Sequence, residues 1–237
     1  DKANVLISAR TYQSSIEKAK ILGVKASKSH KDCVLNSDLI VLGVKPEVLE
    51  DVLVEIKDDL NDKTIVSIAA KKDMAWIESI IGKKPIIRVM PNLNVKIKKG
   101  SSAICRNELV DEKYYAEAKN LFANLGEVFD LKESQFSAFI GIAGSMPAFV
   151  FKFIHESALS VVDEGIDYDL AIDICASAVI GSAELLRISD DSASVLIDKV
   201  SSPNGTTIEG TKALDENNFG KVIHRAIAAT ILKDRKG

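Results

Sequence analysis

Cysteine and histidine, the residues that build most metal and nucleophile centres, are scarce. Cys33, Cys105 and Cys175, with His30, His155 and His224, are scattered through 237 residues. No CxxC pair occurs, and no histidine stands at ligand spacing from a second histidine or a cysteine. That excludes a zinc site and a disulfide frame, and no metal is expected. Separated thiols, odd in number, point to a reducing compartment, so the cytoplasm is the expected location. An excess of one charge is also missing: 31 Lys and Arg face 34 Asp and Glu. No basic field is available to recruit nucleic acid or a membrane surface. The longest apolar run, Phe136 to Phe151, is about four residues short of a bilayer span and contains Pro147. It reads as a helix buried in a core or a subunit interface. Finally, the chain contains no GxGxxG turn.

What is present alternates. Val5 to Ser8 reads as a strand, followed by a polar helix from Ser14 to Leu22. Leu39 to Val44 is continuously apolar, as a strand buried on both faces of a parallel sheet should be. Pro46 can open the next helix, with Val48, Leu49, Val52, Leu53 and Ile56 on its inner face. Thr64 to Ile68, Pro85 to Met90, Ser102 to Cys105 and Val128 to Leu131 read as further strands. Helices around Trp76 and from Asp111 to Ala123 separate them. Such alternation indicates an open α/β sheet. After about Ser134 only helical periodicity remains, in Ala148–Glu164, Asp169–Arg187, Ala193–Val200, Thr206–Glu216 and Gly220–Lys233. Small residues there (Gly144, Ala148, Ala158, Ala171, Ala176, Ala178, Gly181, Ala183) permit close helix packing. The expected domains are therefore an α/β domain over residues 1–133 and a helical one over 134–237.

The densest chemical signal is Ser201-Ser202-Pro203-Asn204-Gly205-Thr206-Thr207-Ile208-Glu209-Gly210. Pro203-Asn204-Gly205 is turn chemistry, and Thr206 precedes Glu209 at capping-box spacing. A helix starting there directs free N–H groups and its positive dipole end at an anion. A small carboxylate would fit, with the Thr206 or Thr207 hydroxyl bonding a neighbouring heteroatom. The same ten residues also read as an ordinary capped helix after a tight turn.

That stretch resembles the substrate loop of pyrroline-5-carboxylate reductases. Four more segments resemble the family in the same order: Leu42-Gly43-Val44-Lys45-Pro46, Ser67-Ile68-Ala69-Ala70, Arg88-Val89-Met90-Pro91-Asn92 and Ala143-Gly144-Ser145-Met146-Pro147-Ala148-Phe149-Val150-Phe151. The resemblance implies a Rossmann-like parallel sheet followed by an all-α dimerisation domain. It also implies that the family's first strand and glycine turn precede Asp1. The first strand is central in the order 3-2-1-4-5-6, so its absence should leave a gap.

In that frame Ser8, Arg10 and Thr11 end the second strand, where NAD-binding folds carry an acid for the ribose 2′-hydroxyl. Hydroxyls and a guanidinium suit a 2′-phosphate instead, which favours NADP, with NAD as the other possibility. Val44, Lys45 and Pro46 would run along the cofactor, Ala69 and Ala70 would let the nicotinamide approach the backbone, and the Asn92 amide would bond its edge or the substrate. Asn204, Gly205, Thr206 and Thr207 would hold the substrate carboxylate, with Thr207 near the ring nitrogen and Ser202 shaping the loop; Thr207 and Ser202 are the candidate catalytic residues. Departures from the family pattern are Lys71-Lys72 and Met146 in place of glycines, Leu93-Asn94 after Pro-Asn, and Asn204 for the second loop glycine. The implied activity is reduction of pyrroline-5-carboxylate to proline by NADPH, in a homodimer or an assembly of dimers, with a small-molecule substrate and no nucleic-acid or membrane partner. Two other readings use the same residues: a related imine reductase or dehydrogenase acting on another small carboxylate, and a reductase-like binding protein without catalysis.

Overall fold

The structure, a computed structural model, describes residues 2–236. Seven strands occur among the described residues: β1 (Leu6–Ile7), β2 (Lys25–Ala26), β3 (Leu39–Leu42), β4 (Thr64–Ser67), β5 (Ile86–Pro91), β6 (Gly100–Arg106) and β7 (Gly126–Asp130). Between them lie α1 (Tyr12–Leu22), α2 (His30–Leu35), α3 (Leu49–Ile56), α4 (Met74–Ile81) and α5 (Glu112–Ala123). Beyond β7 every regular element among the described residues is helical: α6 (Phe136–Phe139), α7 (Met146–Leu159), α8 (Tyr168–Ile188), α9 (Ala193–Val200), α10 (Thr206–Glu216) and α11 (Phe219–Arg235). The chain divides into two compact units, one running to Gly144 and rejoined by the chain from Lys233, the other being Ser145–Leu232.

In the first unit β1 and β2 form a two-stranded parallel sheet, separate from a five-stranded sheet of order β3-β4-β5-β6-β7. Strand β3 consequently ends its sheet, and Val41 is 44% exposed although the sequence reads as a strand covered on both faces. Elsewhere the apolar runs are buried as expected: Ile65, Val66, Ile86, Ile87 and Val89 have no exposed surface.

One pairing departs from an all-parallel sheet. β6 lies antiparallel to β5, with Val89 opposite Ile104. The reason is chain length: a parallel partner requires a crossover of about a dozen residues or more, and only a short 3₁₀ turn (Leu93–Ile97) lies between the two strands. The longer α5 crossover restores parallel pairing between β6 and β7.

Other differences are local. α3 begins at Leu49, and Pro46 lies in the turn before it, where Val48 N–H donates to Lys45 O. Strand β2 and helix α2 carry no long apolar pattern and were not expected. Glu133–Leu159 is long and apolar enough by composition to cross a bilayer, longer than the run judged from sequence. It is not one regular helix: residues Ile140–Gly144 form a π turn, and Pro147 sits in the first turn of α7, where its missing N–H costs nothing. Phe136 and Phe139 are buried with Met90, Ala103 and Cys105 in a core of the first unit.

The second unit is helical throughout. Ala158 and Ala171 are buried, but Phe151, Leu170, Ile174, Ile180, Leu185, Ile197 and Val200 are at least half exposed. Apolar faces of this extent on a helical unit are of the kind that packs against another protein surface.

Candidate active site

Three groups of expected cofactor residues lie along the carboxyl ends of neighbouring strands in the first unit. Parallel register sets Leu42 beside Ser67 and Ser67 beside Arg88. The segments that follow these strands therefore leave the same sheet edge, where open α/β sheets bind ligands. Val44, Lys45 and Pro46 follow β3. Lys45 is exposed, and a side chain grown at Gly43 would meet nothing within 4 Å, so the face above β3 is open.

After β4, Ala69 is buried and Ala70 exposed. Lys71 adopts φ 63°, so glycine's role at this position includes backbone conformation. The Lys72 ammonium lies 3.8 Å from the centroid of the Trp76 ring. A non-glycine residue in the left-handed region costs roughly 1–2 kcal/mol, and glycine loses roughly 0.5–1 kcal/mol of that advantage to chain entropy. Lys71→Gly should thus stabilise the protein by up to about 1 kcal/mol in urea unfolding. A loss of stability would mean that the Lys71 side chain makes a contact that repays its strain.

Asn92 is buried after β5, and its side chain is occupied by the protein. Its Nδ2 donates to Ala143 O at 3.1 Å, while Oδ1 accepts from Asn94 N at 3.2 Å and Ser101 N at 3.1 Å. The carboxamide thus braces the β5–β6 turn against the π turn. Neighbouring Cys105 offers no nucleophile, because burial pushes its thiol up to about 12.

At β1 the first turn of α1 fixes the strand end. Ala9 N donates to Ser15 Oγ at 2.9 Å, and Ser15 Oγ donates to Thr11 O at 3.2 Å. Thr11 is the N-cap of α1, accepting from Ser14 N at 3.2 Å. Ser8 Oγ is 2.9 Å from His30 Nδ1 on α2. Below it, the Asp32 carboxyl is held under its usual range by the Lys28 N–H and the Ser27 hydroxyl. Ser8 and Thr11 are therefore engaged internally, while Arg10 stays exposed at the start of α1. A helix N-terminus beside an exposed guanidinium is an arrangement that could hold an anion. Ser14, Ser15 and His30 were missed in the sequence, although a Ser-Ser pair in a first helical turn is a capping signal.

The substrate-loop residues lie in the second unit. Gly205 N donates to Ser202 O at 3.0 Å, closing a turn with Pro203 second and Asn204 third at φ 62°. A Cβ at position 205 would come within 2.8 Å of Ser202 Oγ, so Ser202 and Gly205 shape each other. The capping box does not form. Gly205 is the N-cap of α10, no side chain caps the helix, and Thr206 is its first helical residue. Glu209 pairs with Lys212 at 2.8 Å. The positive φ at Asn204 is what carries the chain into the helix one residue earlier than the box requires. The first N–H groups of α10 thus have no side-chain acceptor, and Thr206 and Thr207 beside them are exposed.

Sheet and crossover helices place the first unit in the class of open α/β dinucleotide-binding folds. Residues 133–236 match pyrroline-5-carboxylate reductase dimerisation, and residues 1–71 match the family described as NADP oxidoreductase coenzyme F420-dependent. Pyrroline-5-carboxylate reductase of Aquifex aeolicus is 37% identical over 236 residues, covering 99% of this chain and 88% of that protein. The crystal structure of the Streptococcus pyogenes 1-pyrroline-5-carboxylate reductase superposes with a TM-score of 0.88 at 33% identity, covering 98% of this chain and 89% of that one. The Plasmodium falciparum pyrroline carboxylate reductase, solved with NADP bound, gives 0.86 at 26% identity, covering 100% and 88%. The chain belongs to the pyrroline-5-carboxylate reductase family.

Proposed function

We propose that this protein reduces pyrroline-5-carboxylate to proline with NADPH, as a cytoplasmic homodimer. The observation that carries the reading is the start of α10: a helix N-terminus with no side-chain cap, preceded by the strained Asn204 turn and bearing an exposed Thr207. Its N–H groups suit a carboxylate, and the Thr207 hydroxyl suits the ring nitrogen of a cyclic imine. Arg10, at the start of α1, would hold the 2′-phosphate. Ala69 and Ala70 present backbone and methyl groups only, a smooth surface against which a flat ring can lie. When bound, the nicotinamide supplies the hydride that the imine carbon accepts while the nitrogen keeps a proton, so the protein has to bind, orient and exclude water.

The test is oxidation of NADPH by the intact protein with pyrroline-5-carboxylate, beside a panel of other cyclic imines and small oxo acids. Preference for pyrroline-5-carboxylate is expected. Preference for another ring would identify a sister reductase, a reading that Lys71 and Met146 keep in view. No oxidation of NADPH with any substrate on the panel would overturn the assignment.

The half-exposed apolar helices of the second unit support the dimer. An interface of this kind buries roughly 2,000 Å² or more, so sedimentation at micromolar concentration should give a dimer or a multiple of it. A stable monomer would count against the assignment.

A further inference from the structure

The loop from β4 to α4 carries the residues read above as the nicotinamide platform, yet little within it holds it in place. Ala69 and Ala70 have no polar side chains, and Lys71 is strained. The near end has two long bonds, Ile68 N to Leu42 O at 3.5 Å and Ala69 N to Ser67 Oγ at 3.4 Å. The far end is held from outside. Asp73 caps α4 by accepting from Trp76 N at 2.7 Å, and Met74 N donates to Glu133 Oε1 at 2.9 Å, across 59 residues of sequence.

That same carboxylate oxygen accepts from Arg88 Nη1 at 3.0 Å. Arg88 stands on β5 directly opposite Ser67, the last residue of β4. Arg88 therefore stands beside the near end of the loop and orients the carboxylate that holds its far end. Glu133 is itself fixed, since it lies just before the buried Phe136, over whose ring Arg88 also sits at 4.9 Å. The arrangement is costly: Arg88 is 5% exposed and its Nε is buried without a partner among the described residues. An apolar pair of similar volume would stabilise such a place as well or better. What an apolar pair could not do is bond the Met74 N–H.

We propose that Glu133, oriented by Arg88, is a positioning residue that holds the Ala69–Asp73 loop against the nicotinamide ring. This rests on the reading of that loop as the nicotinamide platform. The adenine end, gripped at Arg10, is independent of it.

The experiment uses the intact protein with Glu133→Ala and Glu133→Gln and reads the emission of bound NADPH without substrate. Glu133→Ala should bind NADPH within about threefold of wild type but lose half or more of the nicotinamide emission gained on binding. Glu133→Gln should restore that emission, because its amide oxygen still accepts from Met74 N–H and Arg88. In turnover with pyrroline-5-carboxylate, Glu133→Ala should lower kcat by roughly three- to tenfold and raise the deuterium isotope effect from C4-labelled NADPH. Equal emission in wild type and Glu133→Ala overturns the proposal, as does a loss of activity that follows the folded fraction at constant isotope effect. If wild type ignores pyrroline-5-carboxylate while the emission changes appear, the substrate assignment fails and the positioning role stands.

Discussion

Thr207→Ala lowers kcat/KM for pyrroline-5-carboxylate by roughly ten- to a hundredfold, a loss of about 1.4–2.7 kcal/mol of transition-state stabilisation. Thr207 is the second residue of α10 and is exposed, so its hydroxyl is free to meet a ligand held on the helix N–H groups. Its removal leaves the turn intact, because that turn is closed by backbone from Gly205 to Ser202. Melting temperature and NADPH affinity should therefore stay at wild-type values. The neighbouring substitution separates chemistry from capping. Thr206 makes no capping bond, so Thr206→Ala should shift stability by less than about 0.5 kcal/mol, not by the roughly 1 kcal/mol that a lost N-cap costs. Steady-state kinetics beside thermal melts of both variants decide the matter. Full activity in Thr207→Ala would place the substrate away from this loop.

The capping box shows where sequence reasoning reached its limit at the site. Thr and Glu three apart satisfy the pattern, but which residue becomes the N-cap depends on the φ of the residue before it. Asn204 takes a positive φ, Gly205 becomes the cap, and a helix start expected to be closed by its own threonine is left open. The internal bonds of Asn92 were not legible for a different reason. An amide after a buried strand reads as a ligand group, whereas its partners, Ala143 and Ser101, are set by tertiary packing. Glu133 was not singled out at all. A lone glutamate 59 residues from the amide it accepts leaves no local pattern.

The fold was far more legible, because burial is written into periodicity. Continuous apolar runs located β3, β4 and β5, and α9 and α10 occupy the expected spans. The antiparallel β6 was also available from the sequence, since the stretch between Met90 and Ser102 is too short to hold a crossover helix. Reading strand type without measuring the connection is what hid it. Two-residue strands such as β2 are set by their partner and have no period to read.

Arg10→Ala in the intact protein weakens NADPH binding by about 1–3 kcal/mol, roughly 5- to 150-fold, and leaves NADH binding nearly unchanged. The asymmetry follows from how the end of β1 is built. Ser8 is paired with His30, Thr11 caps α1, and Ser15 ties Ala9 to Thr11. None of these groups is loosened when Arg10 is shortened, so the ribose end keeps its shape and the lost interaction is the guanidinium's own. A 2′-phosphate loses a charge-assisted partner, while a 2′-hydroxyl loses almost nothing. Salt should reveal the same difference. Raising ionic strength weakens wild-type NADPH binding more than that of Arg10→Ala, because an exposed ion pair is screened within a Debye length of about 10 Å at 0.1 M. The dipole of α1 remains in the variant, so some preference for NADPH persists. Direct titration of both cofactors at two salt concentrations measures each of these effects. Equal losses for NADPH and NADH would mean that Arg10 supports the fold of the β1 end and does not read the phosphate.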